Sequence, residues 1–555
     1  MSLAKIRRFL FAPSKFNKRI ITTAFAIIGF SLPILYAYIN GFPIPQVHDE
    51  FSYLLAADTY SHGRFTNPSP AAGESFEAPH ILVRPTYMSK YPPMQGLFLA
   101  AGKILFGDPA FGIWLSCGFA AASFFWMMCA WTRPKWAVFG TALMVLFLGI
   151  NYYWAQSFWG GMVAAGGGAL FFGGFRRLLK RVSIASTLLM TLGGIILVNS
   201  RPFEGTVAML PALFVLLLWF LRDKRNTFFL KISRIVLPGF LLSGIALSLM
   251  AYNNYQLTGH PMRFAYTEHQ SQYFSTPLFI FQSPSESEHS GHYRLKKLYD
   301  FLCCSGPIRR LGDFGLPRIK ALFPLYAFVY LLIFLPFSFF SPILGGFFFL
   351  AVPLILRNRW MMLLVSTIAF TMASMSFATY WDMLHYAAPL TCCFFLLIAQ
   401  GFRFFFLSAK DKRERRLVIF LVTVLLSVSY SFQFFVTPIN ESVINEASVP
   451  NLDFGRPIKL DIPKKLAFLK PVIEKQVQNG QERYLAIVSY DKDYSVHDEI
   501  VYNAADLENS KLIWAFDLGQ EKNKTLIDDY PGRKLLHVEI SGSSVKIEQF
   551  IKTED

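Results

Sequence analysis

Two adjacent carboxylates, Asp49 and Glu50, stand directly after the first membrane-length apolar run of a 555-residue chain. Further along the same stretch come Arg84 and then Lys90-Tyr91-Pro92-Pro93. Ionisable groups bordering hydrocarbon are costly and tend to be kept for a task. A carboxylate so placed can take the proton of an attacking hydroxyl. A guanidinium or ammonium can receive the charge of a departing phosphate. These residue types together suit transfer of a sugar from a phosphate-linked donor, with Asp49 or Glu50 as base and Arg84 and Lys90 at the phosphate. The competing reading is that the acidic pair only caps a surface helix, stabilised by the helix dipole.

The elements that must position these groups are membrane spans. The chain is 53% hydrophobic and 17% aromatic, and only 16% of its residues are charged. Soluble domains carry roughly 25% charged residues, so a polytopic membrane protein is expected. Residues 440–555 hold 15 Lys and Arg against 20 Asp and Glu, while the rest of the chain holds 38 against 16. The basic excess therefore belongs to short loops between spans, as the positive-inside rule requires. The soluble part is acidic, which excludes a nucleic-acid partner. Four of the six cysteines lie in apolar runs, Cys303-Cys304 sits in an expected outer loop, and none has metal-type spacing.

Lys5, Arg7, Arg8, Lys15, Lys18 and Arg19, with no acid among them, place the N-terminus in the cytoplasm. Residues 20–39 then read as an anchor, and 40–108 as the first extracytoplasmic loop, with a short surface helix from Glu50 to His62. Further spans are expected at 110–131, 136–151, 160–175, 183–199, 206–221 and 231–251, followed by a long second outer loop at 252–320. Residues 322–356 hold either two spans or one; Arg357 and Arg359 favour one, at about 340–356. Spans at 360–379, 386–406 and 417–436 bring the total to eleven. The expected organisation is a transmembrane catalytic part over 1–439 and a small extracytoplasmic α/β domain over 450–555. In that domain Tyr484–Tyr490, Lys511–Phe516 and Leu535–Ile540 read as strands, and Val501–Asn509 and Glu521–Tyr530 as helices.

Other polar residues meet the same outer face. Arg201 and Glu204 are either a local ion pair or a donor or acceptor contact. His269 is either a satisfied loop histidine or a ligand, and His385 either an interfacial residue or part of a cavity. Trp154, Trp159 and Trp381 read as interfacial belt aromatics. Gly160-Gly161 and Gly166-Gly167-Gly168 read as close-packing positions rather than a phosphate loop.

The acidic pair after the first span, followed by Lys90-Tyr91-Pro92-Pro93, resembles the GT-C superfamily, in the group of protein O-mannosyltransferases and the lipid A aminoarabinose transferase (glycosyltransferase family 39). Asn199-Ser200-Arg201-Pro202-Phe203-Glu204-Gly205, Tyr266-Thr267-Glu268-His269-Gln270-Ser271-Gln272-Tyr273 and His385-Tyr386-Ala387-Ala388-Pro389 resemble a bacterial branch of that group. The resemblance implies a polyprenyl-phosphate sugar as donor and a lipid, glycan or protein as acceptor, in a bacterial inner membrane. It implies Asp49 as the base with Glu50 in support, and Lys90 at the donor phosphate; on their charge Arg84 and Arg201 join Lys90 there, and Tyr91, Glu204, His269 and His385 are candidate substrate contacts. Some relatives hold a divalent metal through a Glu of this loop and a later His, which makes Glu74, Glu77 and His269 candidates; no other cofactor is implied. The rivals are a lipid or sugar transporter or flippase, and a membrane scaffold for the C-terminal domain. Transporters place ionisable groups near mid-bilayer, whereas here they cluster in outer loops.

Overall fold

A computed structural model of the chain describes residues 15–150, 153–222, 225–274, 277–279, 281–282, 294–295, 297–299, 328, 344–351, 357–378, 384–436, 458–461, 469–478, 480–491, 499–541 and 544–550. The question of one span or two over 322–356 falls largely outside these residues, as do Cys303-Cys304 and Trp381.

The long apolar runs form helices. The first is α1 (Lys15–Asn40), and a second helix, α2 (His48–Ser61), carries the acidic pair in its first turn. A two-stranded hairpin follows, β1 (Ile81–Leu82) with β2 (Met88–Ser89). Then comes α3 (Pro93–Phe106), an apolar helix inside the stretch read from sequence as loop. Pro93 begins it, where a missing N–H costs nothing, and Gly107 ends it at φ +86°. At fourteen residues it rises only about 21 Å.

The next helices are α4 (Ala110–Trp131), α5 (Pro134–Gly149), α6 (Met162–Leu178), α7 (Ile184–Val198) and α8 (Pro202–Leu221). Helix α9 (Arg225–Lys231) runs through a π turn, Ile232–Val236, into α10 (Leu237–Thr258), and α11 (Ala265–Tyr273) follows. Later come α12 (Arg359–Met375), a 3-10 turn at Leu384–Leu390, α13 (Thr391–Ser408) and α14 (Lys412–Val436). Among the described residues five helical stretches are long and apolar enough to cross a membrane: Asn17–Asn40, Ala110–Trp131, Pro202–Leu221, Thr227–Thr258 and His385–Ser408. The protein is thus a helical integral membrane protein.

Helix α6 is buried almost throughout and packs between α4 and α7. Its glycines permit this: a Cβ on Gly168 would lie 2.1 Å from the Pro389 carbonyl oxygen, and one on Gly167 would lie 2.7 Å from the Ile196 side chain. Those glycines are packing positions, as their sequence suggested.

The C-terminal residues form a mixed sheet in the order β3 (Ile458–Asp461), β7 (Ser544–Phe550), β6 (Lys534–Ser541), β4 (Tyr484–Tyr490) and β5 (Leu512–Phe516). Strand β4 pairs parallel with both β5 and β6, and β7 pairs antiparallel with β6 and β3. Helices α15 (Leu469–Gln478) and α16 (Gln520–Asp529) accompany it. Residues 501–509, read from sequence as a helix, are not helical. The reason is local: Asn503 donates to the Trp514 carbonyl at 2.8 Å and accepts the Trp514 N–H at 2.8 Å. Its amide thus acts as a short substitute strand along the edge of β5.

Candidate active site

Glu50 and Asp49 point in different directions, and that division organises the site. Glu50, at the third position of α2, folds back over the helix start and accepts backbone N–H groups of Gln46 (2.7 Å) and Val47 (3.1 Å) through Oε2. Its other oxygen takes the Phe158 N–H at 2.8 Å. Glu50 is only 2% exposed, and burial raises its carboxyl to about 7 against the pull of those three N–H groups. It does not line the cavity beside it. The capping arrangement is therefore seen at Glu50, whose carboxyl holds the start of α2.

Asp49 faces a cavity of about 370 Å³. The Tyr91 hydroxyl donates to its Oδ1, and His80 Nε2 lies 3.8 Å from Oδ2. Burial raises its pKa above the ordinary carboxylate range, opposed by the Tyr91 hydrogen bond and by the charge of Lys90. Tyr91 is itself held by stacking on Tyr53, with ring centroids 4.6 Å apart.

Lys90 is 5% exposed and borders the same cavity. Its ammonium is surrounded by three rings, at 4.9 Å from the centroid of Tyr266 and 5.3 Å from those of Tyr91 and Phe274. Burial lowers its pKa to about 7, with the negative charge of Asp49 opposing. The Lys90 N–H donates to the His80 carbonyl at 3.2 Å, which pins the cation to the turn that carries His80.

The corner between α7 and α8 closes the other side. The Met94 N–H donates to the Asn199 carbonyl at 3.1 Å, tying α3 to that corner. Arg201 and Glu204 both line the cavity without forming a direct ion pair, and the Arg201 guanidinium lies 5.4 Å from the Tyr386 ring centroid. His385 lines it as well, with Nδ1 3.3 Å from the Tyr153 hydroxyl and its ring 4.6 Å from Trp159. The same cavity is also lined by apolar Val198, Phe203, Met250, Leu257, Leu278, Phe279 and Ala378 and by neutral polar Asn199, Ser200, Asn253, Asn254 and Thr267. The cavity is thus lined by charged groups and by hydrocarbon together.

Several sequence expectations change. Arg84 is exposed and does not line the cavity; its carbonyl accepts from Gln272 Nε2 at 3.0 Å. Trp154 is fully buried, packed against Gly161, and Trp159 lines the cavity, so neither is a belt aromatic. His269 is buried behind the cavity wall, with Nε2 3.1 Å from the Tyr299 hydroxyl. Glu77 accepts from the Tyr273 hydroxyl at 3.3 Å, and exposed Glu74 pairs with Lys522. Glu74 stands apart at Lys522 while Glu77 and His269 both border Tyr273, and no group of three His, Cys, Asp or Glu side chains among the described residues is arranged to hold a metal ion. Of the cavity residues, Tyr53 had not been singled out, Trp159 had been read as a belt aromatic and Tyr266 only quoted within a motif; nor had His80 beside Asp49 been singled out. A lone histidine in an irregular loop carries no periodicity to find it by.

No protein-family model matches the chain, and no curated protein does. Among solved structures it is similar to the Archaeoglobus fulgidus oligosaccharyltransferase in the apo form, at 12% identity over 76% of this chain and 56% of that one, with a TM-score of 0.44. The same enzyme with zinc and sulfate gives 14% identity, 74% and 52% coverage, and 0.44. The archaeal oligosaccharyltransferase AglB from Archaeoglobus fulgidus, in complex with an inhibitory peptide and a dolichol-phosphate, gives 12% identity, 85% and 62% coverage, and 0.45. The alignments thus span between about half and three fifths of the length of these structures.

Proposed function

We propose that this protein is a membrane glycosyltransferase of the GT-C type, moving one sugar from a polyprenyl-phosphate donor to a hydroxyl of an extracytoplasmic lipid, glycan or protein. The observation that carries this reading is a single cavity lined by Asp49, Lys90 and Arg201 together with apolar side chains such as Val198, Phe203, Met250 and Leu257. A prenyl phosphate has that same combination of charge and apolar chain. Only two of the proposed phosphate-binding cations keep that place, since Arg84 does not line the cavity.

In the reaction, Asp49 takes the acceptor proton as the hydroxyl oxygen attacks the anomeric carbon in line. The bond from that carbon to the phosphate oxygen breaks, and its electron pair leaves with the lipid phosphate. Lys90 and Arg201 neutralise the charge that appears there, and the anomeric centre inverts. A carboxylate raised above its ordinary range is a better base at neutral pH than an unperturbed one. The reading has the donor enter from the outer leaflet of a bacterial inner membrane.

The test is Asp49→Asn in full-length protein reconstituted in liposomes with labelled polyprenyl-phosphate hexose and pentose donors and an envelope extract as acceptor. Transfer is lost while the protein remains folded and inserted. Undiminished transfer by the variant overturns the mechanism.

A further inference from the structure

The helix that carries Asp49 is held by a segment more than four hundred residues away in the chain. Residues 499–505 leave the C-terminal sheet and lie along α2. Tyr502, 3% exposed, stacks flat on Phe51 with centroids 4.2 Å apart, and its hydroxyl is 2.7 Å from His48 Nδ1. His48 and Phe51 are the residues on either side of the Asp49-Glu50 pair. At the far end of the helix, the Ala505 N–H donates to Asp58 Oδ2 at 2.7 Å. One stretch therefore grips both ends of α2.

The grip is itself fixed from behind. Lys470 Nζ donates to the Tyr502 carbonyl at 2.5 Å. The Glu499 carboxylate accepts the N–H groups of Ile500 (2.8 Å) and Val501 (2.9 Å). In front, the His48 ring lies 6.2 Å from that of His80, whose Nε2 is the nitrogen facing Asp49. Tyr502 does not line the cavity. Whatever it contributes must pass through the helix it holds.

We infer that Tyr502 is a positioning residue: the C-terminal domain sets the pose of Asp49 through the Tyr502–His48 hydrogen bond and the Tyr502–Phe51 stack. The inference rests on the assignment of Asp49 as base. Lys90 and Arg201, the phosphate-binding pair, are not touched by the segment, so the domain governs the chemical step and leaves donor binding alone. Small displacements of a reacting group can cost about a hundredfold in rate, whereas uniform binding would be unaffected.

The experiment compares full-length wild type, Tyr502→Phe, Tyr502→Leu and Asp49→Asn, reconstituted in liposomes with the same labelled donors and envelope extract. Tyr502→Phe keeps the stack and loses only the hydroxyl; kcat falls about tenfold while KM for the donor stays within about twofold. Tyr502→Leu loses both contacts and falls further in kcat, again with donor KM held. A melting temperature measured in detergent separates this from unfolding, because Tyr502→Phe keeps the apolar surface and costs only the hydroxyl's partner on His48, so it melts a few degrees below the wild type and stays folded at the assay temperature. If Tyr502→Phe keeps the wild-type kcat while Asp49→Asn is inactive, the inference fails and the enzyme reading stands. Transfer retained by Asp49→Asn overturns both. A loss expressed in donor KM instead of kcat also overturns the inference.

Discussion

His80 presents Nε2 3.8 Å from Oδ2 of Asp49, from a backbone held in the left-handed region at φ +65°. A non-glycine residue there carries strain of the order of 1 kcal/mol, and here the surroundings fix it. The His80 N–H donates to the Tyr299 hydroxyl at 3.1 Å, and its carbonyl accepts from Ser52 Oγ at 2.7 Å. Burial lowers the pKa of the ring well below its ordinary value, with the charge of Lys90 adding to the effect. The imidazole is therefore neutral at pH 7, and at 3.8 Å it flanks the aspartate as a polar neighbour without a direct hydrogen bond. His80→Asn, a residue that tolerates the same backbone region, lowers kcat about tenfold. The acid limb of the pH profile stays where it is, because His80 changes no charge between pH 6 and 8. A limb that moves with the substitution would show that His80 is itself the titrating base.

Lys90 gives the alkaline side of that profile. Its folded pKa is about 7, so in the free enzyme the ammonium loses its charge as pH rises through neutrality. Asp49, with a raised pKa, gains its negative charge as pH rises on the acid side. The kcat/KM for donor is therefore bell-shaped, rising as Asp49 ionises and falling as Lys90 deprotonates. A bound phosphate stabilises the ammonium, so the alkaline limb of kcat lies at higher pH than that of kcat/KM. Lys90→Arg keeps its charge throughout this range and flattens the alkaline limb. Lys90→Met weakens donor binding at every pH. A wild-type alkaline limb retained in Lys90→Arg would sink the assignment.

Glu50 affects stability more than rate. Removing its carboxylate in Glu50→Ala orphans backbone N–H groups of Gln46, Val47 and Phe158. Each unsatisfied buried donor costs about 1–3 kcal/mol, so the variant melts well below the wild type. Prenyl phosphate binding survives in the protein that remains folded, since Glu50 does not line the cavity. The pH dependence has a definite sign. A carboxyl raised to about 7 in the folded state holds its proton where the unfolded chain, at about 4.3, has lost it. Its stabilising contribution is full below the ordinary carboxylate range and is lost as pH rises through 7. Glu50→Gln, which cannot ionise, removes that decline, as melting curves at pH 5 and pH 8 would record.

Much of this arrangement was readable because apolar length and residue type are local properties. The runs at 110–131 and 183–199 became α4 and α7, and the apolar run Tyr484–Tyr490 became β4. Asp49, Lys90, Tyr91, Arg201, Glu204 and His385 were named from chemistry and resemblance, and all line one cavity. What escaped depends on tertiary context. Helix α3 was hidden because Gln95 and Lys103 interrupt a run too short to span a membrane. Residues 501–509 have helical spacing, yet Asn503 pairs with Trp514 and Tyr502 is drawn onto Phe51. The split between Glu50 and Asp49 could not be read from adjacency, since it depends on the Phe158 N–H arriving from a distant loop.

Phe76 shows why the C-terminal domain is not a detachable module. It sits in the 3-10 turn Gly73–Phe76 of the first loop, yet it is 1% exposed and buried among Leu485, Ile487, Ile513 and Leu526 of the sheet domain. Its ring meets Tyr530 edge-on at 5.8 Å. The loop in turn shares a second core with that domain, in which Phe51, Leu55, Ile81 and Tyr87 surround Tyr502 and Ala505. Phe76→Ala leaves a cavity costing about 3–5 kcal/mol, enough to lower the melting temperature of the whole protein. Deleting residues 450–555 does more, because it uncovers Phe76 and the apolar face of α2 together. The truncated protein is therefore expected to elute as aggregate from size exclusion in detergent and to transfer no sugar. A truncated protein that is monodisperse and melts with the full chain would mean that the loop packs its own core, and the shared-core account would fall.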